Sequence, residues 1–406
     1  MRHSSSRTTP EQVARLYAGI ARAQDPDAIV ATALRTKSRH AREVLAELAW
    51  PGHVPTDIHA WAQAGPAEMP SDMDAPWLGR FAQVVALQEI EDHAFSLGRA
   101  VFEQIDATGR LADLPPHLVE LFLQLRLATR DRRATESLLA HPGVREPQRH
   151  AIAADLLNPH IFDAPESEAE WLEAFNRALG NPSIADVCLR PDTDGNERTT
   201  FDRLSATSMP TIDSGRLITV LMSCFRPGPE LFTAIRSVCQ QTWSNWELLL
   251  IDDASGASYA PVFDEAAAMD NRIRVIRKAL NGGTYRARNT GLRQARGEFC
   301  TVVDADDWIH PQAFERHVAP LIERAGLPGT ISRAVKVNQH LELNRPGTAA
   351  RVASAASLMF RTVPVVSRIG FFDPTGKGAD TEFRKRIELV FGRRVREIPD
   401  VLSVLR

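Results

Sequence analysis

Cysteine is scarce. The 406 residues hold four, Cys188, Cys224, Cys239 and Cys300, far apart and with neither a CxxC pair nor histidines at metal-ligand spacing. No disulfide framework or cysteine–histidine metal site is indicated. Three of the four fall within apolar runs, so free buried thiols in a reducing compartment are expected. Long hydrophobic runs are missing too: no stretch of about 18 apolar residues is present to span a membrane. The basic start Met1-Arg2-His3-Ser4-Ser5-Ser6 is not followed by the apolar core of roughly 7–15 residues that a secretory signal needs, so a cytoplasmic protein is expected. Nor is there an excess of one charge. The formal net charge is −3 with 24% charged residues, and the basic clusters Arg384-Lys385-Arg386 and Arg393-Arg394 are short. That balance gives no electrostatic case for nucleic acid or an anionic membrane surface.

What is present divides into two halves. Over residues 9–180 apolar residues recur at three- and four-residue spacing. Val13, Leu16, Tyr17 and Ile20 form one stripe; Phe81, Val84, Val85 and Ile90 begin another. Residues 118–125 are apolar on nearly all sides, as in a helix buried among helices. Helices at 135–140, 147–157 and 168–179 are separated by Pro, Gly and Asn breakers. The Pro-, Ala- and Gly-rich stretch 51–76 is expected to interrupt the array. Short helices with short breaks predict an all-α domain of helical hairpins over 1–189, weakly similar to tetratricopeptide arrays. A polar linker over 190–215 follows, with Phe201 and Leu204 as its anchor.

From residue 216 onward the period changes. Short, nearly continuous apolar runs at 217–224, 246–251, 273–277 and 299–303 alternate with helical patterns at 230–241, 259–269, 284–295 and 311–325. This order predicts a Rossmann-like α/β domain with a mainly parallel sheet over 216–406. Further strands are expected at 329–337 and 354–360. Ligands of such sheets bind beyond the carboxyl ends of the strands, and every one of those ends carries polar residues. They are Ser223, Phe225 and Arg226; Asp252-Asp253-Ala254-Ser255; Asn281-Gly282-Gly283; and Asp304-Ala305-Asp306-Asp307-Trp308. The last places three carboxylates at the end of a buried strand, which is unfavourable without a cation. A divalent ion shared with substrate phosphates is the expected neutraliser.

The order and spacing of these motifs resemble the family 2 glycosyltransferases, whose catalytic domain has the GT-A fold. The likeness is strong from Ile218 to about Ile322 and looser over 354–405. It covers none of the helical half. What the resemblance implies is a nucleotide-sugar donor, most simply a UDP-sugar, and Mn²⁺ or Mg²⁺. Asp253 would accept a hydrogen bond from the uracil ring, and Ser223 and Phe225 would line the nucleotide. Gly283 would let backbone approach the ligand, and Arg288 would meet the diphosphate or the base-binding aspartate. Asp304 and Asp306 would contact the metal and the ribose, and Asp307 is the alternative for the direct metal ligand, since related enzymes differ over which carboxylate touches the ion.

The resemblance also implies a general base in Gly378-Ala379-Asp380-Thr381-Glu382-Phe383. Asp380 aligns with it and Glu382 is the reserve; Ala379 departs from the family's acidic residue. The alternative for Asp380 is a helix N-cap. A loop at 371–374 with exposed aromatics is expected to border the acceptor, a saccharide or glycolipid of a cell envelope. The Gln-x-x-Arg-Trp motif of processive synthases is missing after Asp380. Rival readings are a sugar nucleotidyltransferase and a non-catalytic protein carrying a relic domain. Peripheral membrane association, and partner binding or self-association through the helical half, are compatible with either outcome.

Overall fold

The computed structural model describes residues 26–65, 68–88, 94–162, 167–191, 199–207, 209–375 and 378–406. The Val13–Ile20 stripe and Ile90 lie outside them. The chain divides into two compact units. One comprises the described residues up to Leu156 with Asn344–Ala349, and the other Leu157–Leu343 with Ala350–Arg406.

The first unit is helical: α1 Pro26–Thr36, α2 Arg39–Ala49, α3 Pro55–Gln63, α4 Ala75–Gln88, α5 Ala94–Ala107, α6 Pro116–Ala128, α7 Arg132–Leu139 and most of α8 Glu146–Leu157. Every residue of the 118–125 run is buried in α6, as its all-round apolarity requires. Two of them are polar, and both are satisfied. Glu120 pairs with Arg145. The Gln124 amide donates to Thr348 O at 2.7 Å and accepts from Gly347 N at 2.9 Å, clamping residues 344–349 onto the helices. The stretch 51–76 does not simply break the array. Pro55 opens α3, where its missing N–H costs nothing, and Ile58 and Trp61 are buried.

The second unit begins with helix α9 Glu168–Leu179, capped by a Ser167–Glu170 box and ended by Gly180 in the left-handed region. Among the described residues of the expected linker over 190–215, a 3-10 turn at Thr200–Arg203 leads into a strand. A short antiparallel ladder, β1 Val187–Leu189 with β2 Leu204–Ala206, lies here, and Phe201 and Leu204 are buried.

The main sheet then assembles in the order β5-β4-β3-β6-β9-β8-β10-β7. Its strands are β3 Ile218–Cys224, β4 Trp246–Asp252, β5 Ile273–Arg277, β6 Phe299–Val302, β7 Trp308–Ile309, β8 Gly329–Lys336, β9 Val352–Arg361 and β10 Arg396–Leu405. Strands β5, β4, β3 and β6 are mutually parallel, and β9 runs against both β6 and β8. Between them lie α10 Glu230–Cys239, α11 Ala260–Ala268, α12 Thr284–Leu292, α13 Ala313–Glu323, α14 Thr362–Ile369 and α15 Ala379–Phe391.

Both faces of the sheet are covered, which is why its strands read as continuous apolar runs. Val220, Met222, Leu248 and Leu250 pack on one side with α10 and α13. Leu221, Leu249 and Ile251 pack on the other with α12 and α15. Strand β10 and helix α14 have no counterpart in the sequence expectations. The pattern of β10 is interrupted by Pro399 and Asp400, which sit within the register shift between Ile398 and Val401. Asp400 is buried there against Arg316.

Gly291 sets the closeness of α12 to the sheet. A Cβ there would lie 2.8 Å from Ile251 Cδ1 and 3.0 Å from Leu221 Cδ2. Among the described residues, no helix is long and apolar enough to cross a membrane, and all four cysteines are free. Phe201→Ala should cost the second unit about 3–5 kcal/mol. Denaturant unfolding followed by a probe in that unit checks this, and a loss under about 1 kcal/mol would mean that the 199–207 segment is not part of its core.

Candidate active site

The carboxyl ends of β3 and β6 and the first turns of α12 and α15 enclose an open cavity of about 490 Å³. Its wall carries Ser223, Phe225, Glu230, Tyr285, Arg288, Asp304, Asp306 and Asp380. Sheet topology accounts for this convergence. Strands β3 and β6 are parallel neighbours, so the loops after Cys224 and Val302 leave the sheet on the same side.

Arg288 is the centre of the arrangement. It is 1% exposed, so it does not belong to a solvated helix face. One nitrogen, Nη1, donates to Asp380 Oδ1 at 2.7 Å, and Nη2 donates to Asp304 Oδ1. The neighbouring carboxylates raise its pKa against the opposing effect of burial. Asp380 receives a second donor, the Tyr285 hydroxyl, at 2.9 Å on Oδ2. The N-cap alternative for Asp380 is thereby set aside: Gly378 is the cap residue of α15, and Asp380 faces the cavity from the first turn. Burial raises the Asp380 pKa, opposed by Arg288 and by the Tyr285 hydrogen bond.

The acidic trio does not act as one group. Asp304 and Asp306 line the open cavity. Asp307 instead lines, together with Asp304, a small cavity of about 20 Å³ and accepts the Arg406 N–H at 3.1 Å. Burial, then Asp304 and Asp306, raise the Asp307 pKa well above its ordinary value, and burial and Asp304 also raise that of Asp306. Asp307 is thus absent from the lining of the open cavity that Asp304 and Asp306 share. Among the described residues, no three His, Cys, Asp or Glu side chains gather as a metal site.

Glu382 also departs from expectation. It does not line the cavity and is held by Arg386 at 2.7 Å one turn along α15, so it is no substitute for Asp380. Asp253 is buried and pins the turn after β5. It accepts from Gly283 N at 2.7 Å, from Gly282 N at 3.1 Å and from the Lys278 ammonium. Gly283 contributes through this backbone contact and through its positive φ of 80° at the start of α12.

Ser223 Oγ is buried without a protein partner, and Phe225 is 46% exposed. Arg226 lies over the Phe225 ring at 4.9 Å, and its N–H donates to Ser255 Oγ at 2.8 Å, joining the loops after β3 and β4. Cys224 is no nucleophile, since burial pushes its thiol up to about 12. The expected exposed aromatics after α14 are not exposed at Phe372, which is buried and stacks on Phe383 at 4.2 Å. Sequence reasoning missed Tyr285. The available signal was its position three residues before Arg288, which places both on one face of α12.

Comparison with known proteins identifies the region. Residues 219–362 match the family described as Glycosyl transferase family 2. Glycosyltransferase GlyG of Streptococcus pneumoniae is 33% identical over 99 residues, 24% of this chain and 33% of that protein. The UDP-Glc:alpha-D-GlcNAc-diphosphoundecaprenol beta-1,3-glucosyltransferase WfgD of Escherichia coli is 35% identical over 94 residues, 23% of this chain and 36% of that protein. The chain thus spans about a third of the length of each of these two relatives. Among solved structures, Staphylococcus aureus TarS 1–349 is 18% identical with a TM-score of 0.39, covering 46% of this chain and 60% of that one. The mannosyltransferase PcManGT of Pyrobaculum calidifontis, in complex with GDP-Man and Mn²⁺, is 18% identical with a TM-score of 0.38, covering 63% and 68%.

Arg288→Gln should destabilise the second unit by about 1–3 kcal/mol, because it leaves two half-buried carboxylates facing each other without a cation. In an Asp304→Asn/Asp380→Asn background the same change should cost far less. Urea unfolding of the four proteins reads the coupling; equal costs in both backgrounds would show that Arg288 is held by packing instead of charge.

Proposed function

With residues 219–362 forming a family 2 glycosyltransferase domain, we propose that the protein moves a sugar, with inversion, from a UDP-sugar to a hydroxyl of a saccharide or glycolipid acceptor. The observation that carries this reading is the shared cavity. Asp304 and Asp306, suited to a metal–diphosphate, and Asp380, suited to proton transfer, line one space, and Arg288 joins Asp304 to Asp380. The UDP-glucose and lipid-linked acceptor in WfgD's name support the choice of donor and acceptor; a place in cell-envelope polysaccharide synthesis, at the cytoplasmic side, belongs to the same proposal.

The residues fit a divalent ion. Asp304 and Asp306 offer hard oxygen donors on one wall, and Mg²⁺ or Mn²⁺ is commonly held by one or two carboxylates with substrate phosphates completing the shell. Arg288 offsets one of the negative charges of Asp304 and Asp380, so the cavity retains room for an added cation. When bound, the ion would neutralise the departing diphosphate.

The chain's own groups supply the rest. The Phe225 face and the unpartnered Ser223 hydroxyl are suited to a nucleoside. For Asp253 to accept the imide N–H of uracil, the Lys278 ammonium must release one carboxylate oxygen. Asp380 takes the acceptor hydroxyl proton as that oxygen bonds to the anomeric carbon and the bond from that carbon to the diphosphate oxygen breaks. Its raised pKa makes it a better base than an ordinary aspartate.

Two outcomes test the reading. Asp306→Ala should abolish metal-dependent binding of UDP-glucose or UDP-N-acetylglucosamine in calorimetry. Binding that persists with chelator present removes the metal from the proposal. Asp380→Asn should keep donor binding but slow UDP release by about 10²–10⁴-fold. In the wild-type protein the acid limb of kcat should lie above the ordinary aspartate range, because protonation of Asp380 removes the base. Full turnover in Asp380→Asn refutes the assignment.

A further inference from the structure

Tyr285 stands outside every role described above, yet its setting is more constrained than a wall residue needs. Its ring lies beside Phe372 at 6.2 Å between centroids, and Phe372 stacks on Phe383 at 4.2 Å. Phe383 is on α15, one turn beyond Asp380. The middle ring is fixed independently. Asn289 of α12 donates to Phe372 O at 2.8 Å and accepts from Phe372 N at 2.9 Å. A three-ring stack therefore ties the helix that carries Tyr285 to the helix that carries Asp380. The phenol is aimed at the carboxylate by packing, so the cost of ordering it is met on folding.

Its hydroxyl also holds a chemically distinct position. Arg288 occupies Oδ1 of Asp380 from a buried site. Tyr285 occupies Oδ2, the remaining oxygen, from the cavity wall. A carboxylate oxygen has two lone pairs, so one on Oδ2 is left when the phenol takes the other. Without the phenol, rotation about the Cβ–Cγ bond is opposed by Arg288 alone. The groups facing Asp380 from other elements are Tyr285 and Arg288 on α12 and Asp304 after β6. On its own helix, Glu382 is turned away by Arg386.

We propose that Tyr285 is a positioning residue for the transfer reaction: its hydroxyl and the Arg288 guanidinium together fix the plane of the Asp380 carboxylate, so that the free lone pair of Oδ2 points at the acceptor hydroxyl. This rests on the reading of Asp380 as the base. The phenol donates a hydrogen bond and keeps its own proton. The acceptor's proton goes to Asp380, and the diphosphate leaves with the electron pair of the broken carbon–oxygen bond.

The test compares Tyr285→Phe, Asp380→Asn and wild type by UDP release from UDP-glucose, UDP-N-acetylglucosamine and UDP-galactose with Mn²⁺, against pH. Phenylalanine keeps the ring stack, so folding is retained, and donor binding measured by calorimetry verifies that. Tyr285→Phe should lower kcat about tenfold with the donor KM within about twofold. Its acid limb should also move to higher pH. Donation from the phenol favours the ionised carboxylate, and without it Asp380 keeps its proton to higher pH.

If Asp380→Asn is slow but Tyr285→Phe matches wild type, the positioning role is overturned and the base reading stands. A lower kcat in Tyr285→Phe with an unmoved acid limb assigns the tyrosine to packing and overturns the proposal equally. If Asp380→Asn turns over normally, or wild type releases UDP from none of the three donors, the base or donor reading fails and this proposal falls with it.

Discussion

A single buried guanidinium shared by two carboxylates organises the second unit. Arg288 spans the space between the loop after β6 and the first turn of α15, touching Asp304 on one side and Asp380 on the other. Removing an arginine from water is costly, and the cost is offset only where each charged partner is well placed. The two carboxylates are held by separate elements, so the ion pairs also fix the distance between those elements. A donor-side acid and the proposed base are thereby kept on one wall before any ligand arrives.

Repulsion within the acidic turn after β6 is met differently at each residue, and at Asp306 it persists. Asp304 has its counter-charge built into α12. Asp307 is turned into the interior, where burial favours its neutral form and a backbone N–H meets one oxygen. Asp306 is left facing the cavity, raised by burial and by Asp304. The expectation that three clustered carboxylates demand one shared ion treated them as equivalent. Adjacent side chains in a tight turn point in different directions, and the protein uses this to give each acid a separate environment.

Much of the second unit was legible. Strands β3 to β6 follow from apolar runs that both covered faces of the sheet require, and the polar residues at their ends mark the side on which ligands bind. Arg288 and Asp380 were legible as site residues through the family resemblance, but not as a pair. They are 92 positions apart in the chain, and no local pattern reports that two helices bring them together. Strand β10 was not legible because Pro399 and Asp400 interrupt its alternation, and that interruption is a bulge whose acid is satisfied by Arg316. Helix α3 was hidden by prolines that read as breakers and in fact start it.

Periodicity, strand-end polarity and motif order, all local properties of the chain, determined the helical and α/β character of the two parts and the set of candidate acids. Which acid faces the cavity, which is paired and which is buried was decided only by tertiary structure. Those outcomes depend on charge compensation and desolvation, and both are set by groups that folding brings near from distant positions. Gly291 illustrates the link between the levels. Its missing side chain is visible in the sequence, but the closeness to Ile251 and Leu221 that it permits, and with it the seating of Arg288 and Tyr285 against Asp380, exists only once α12 lies on the sheet.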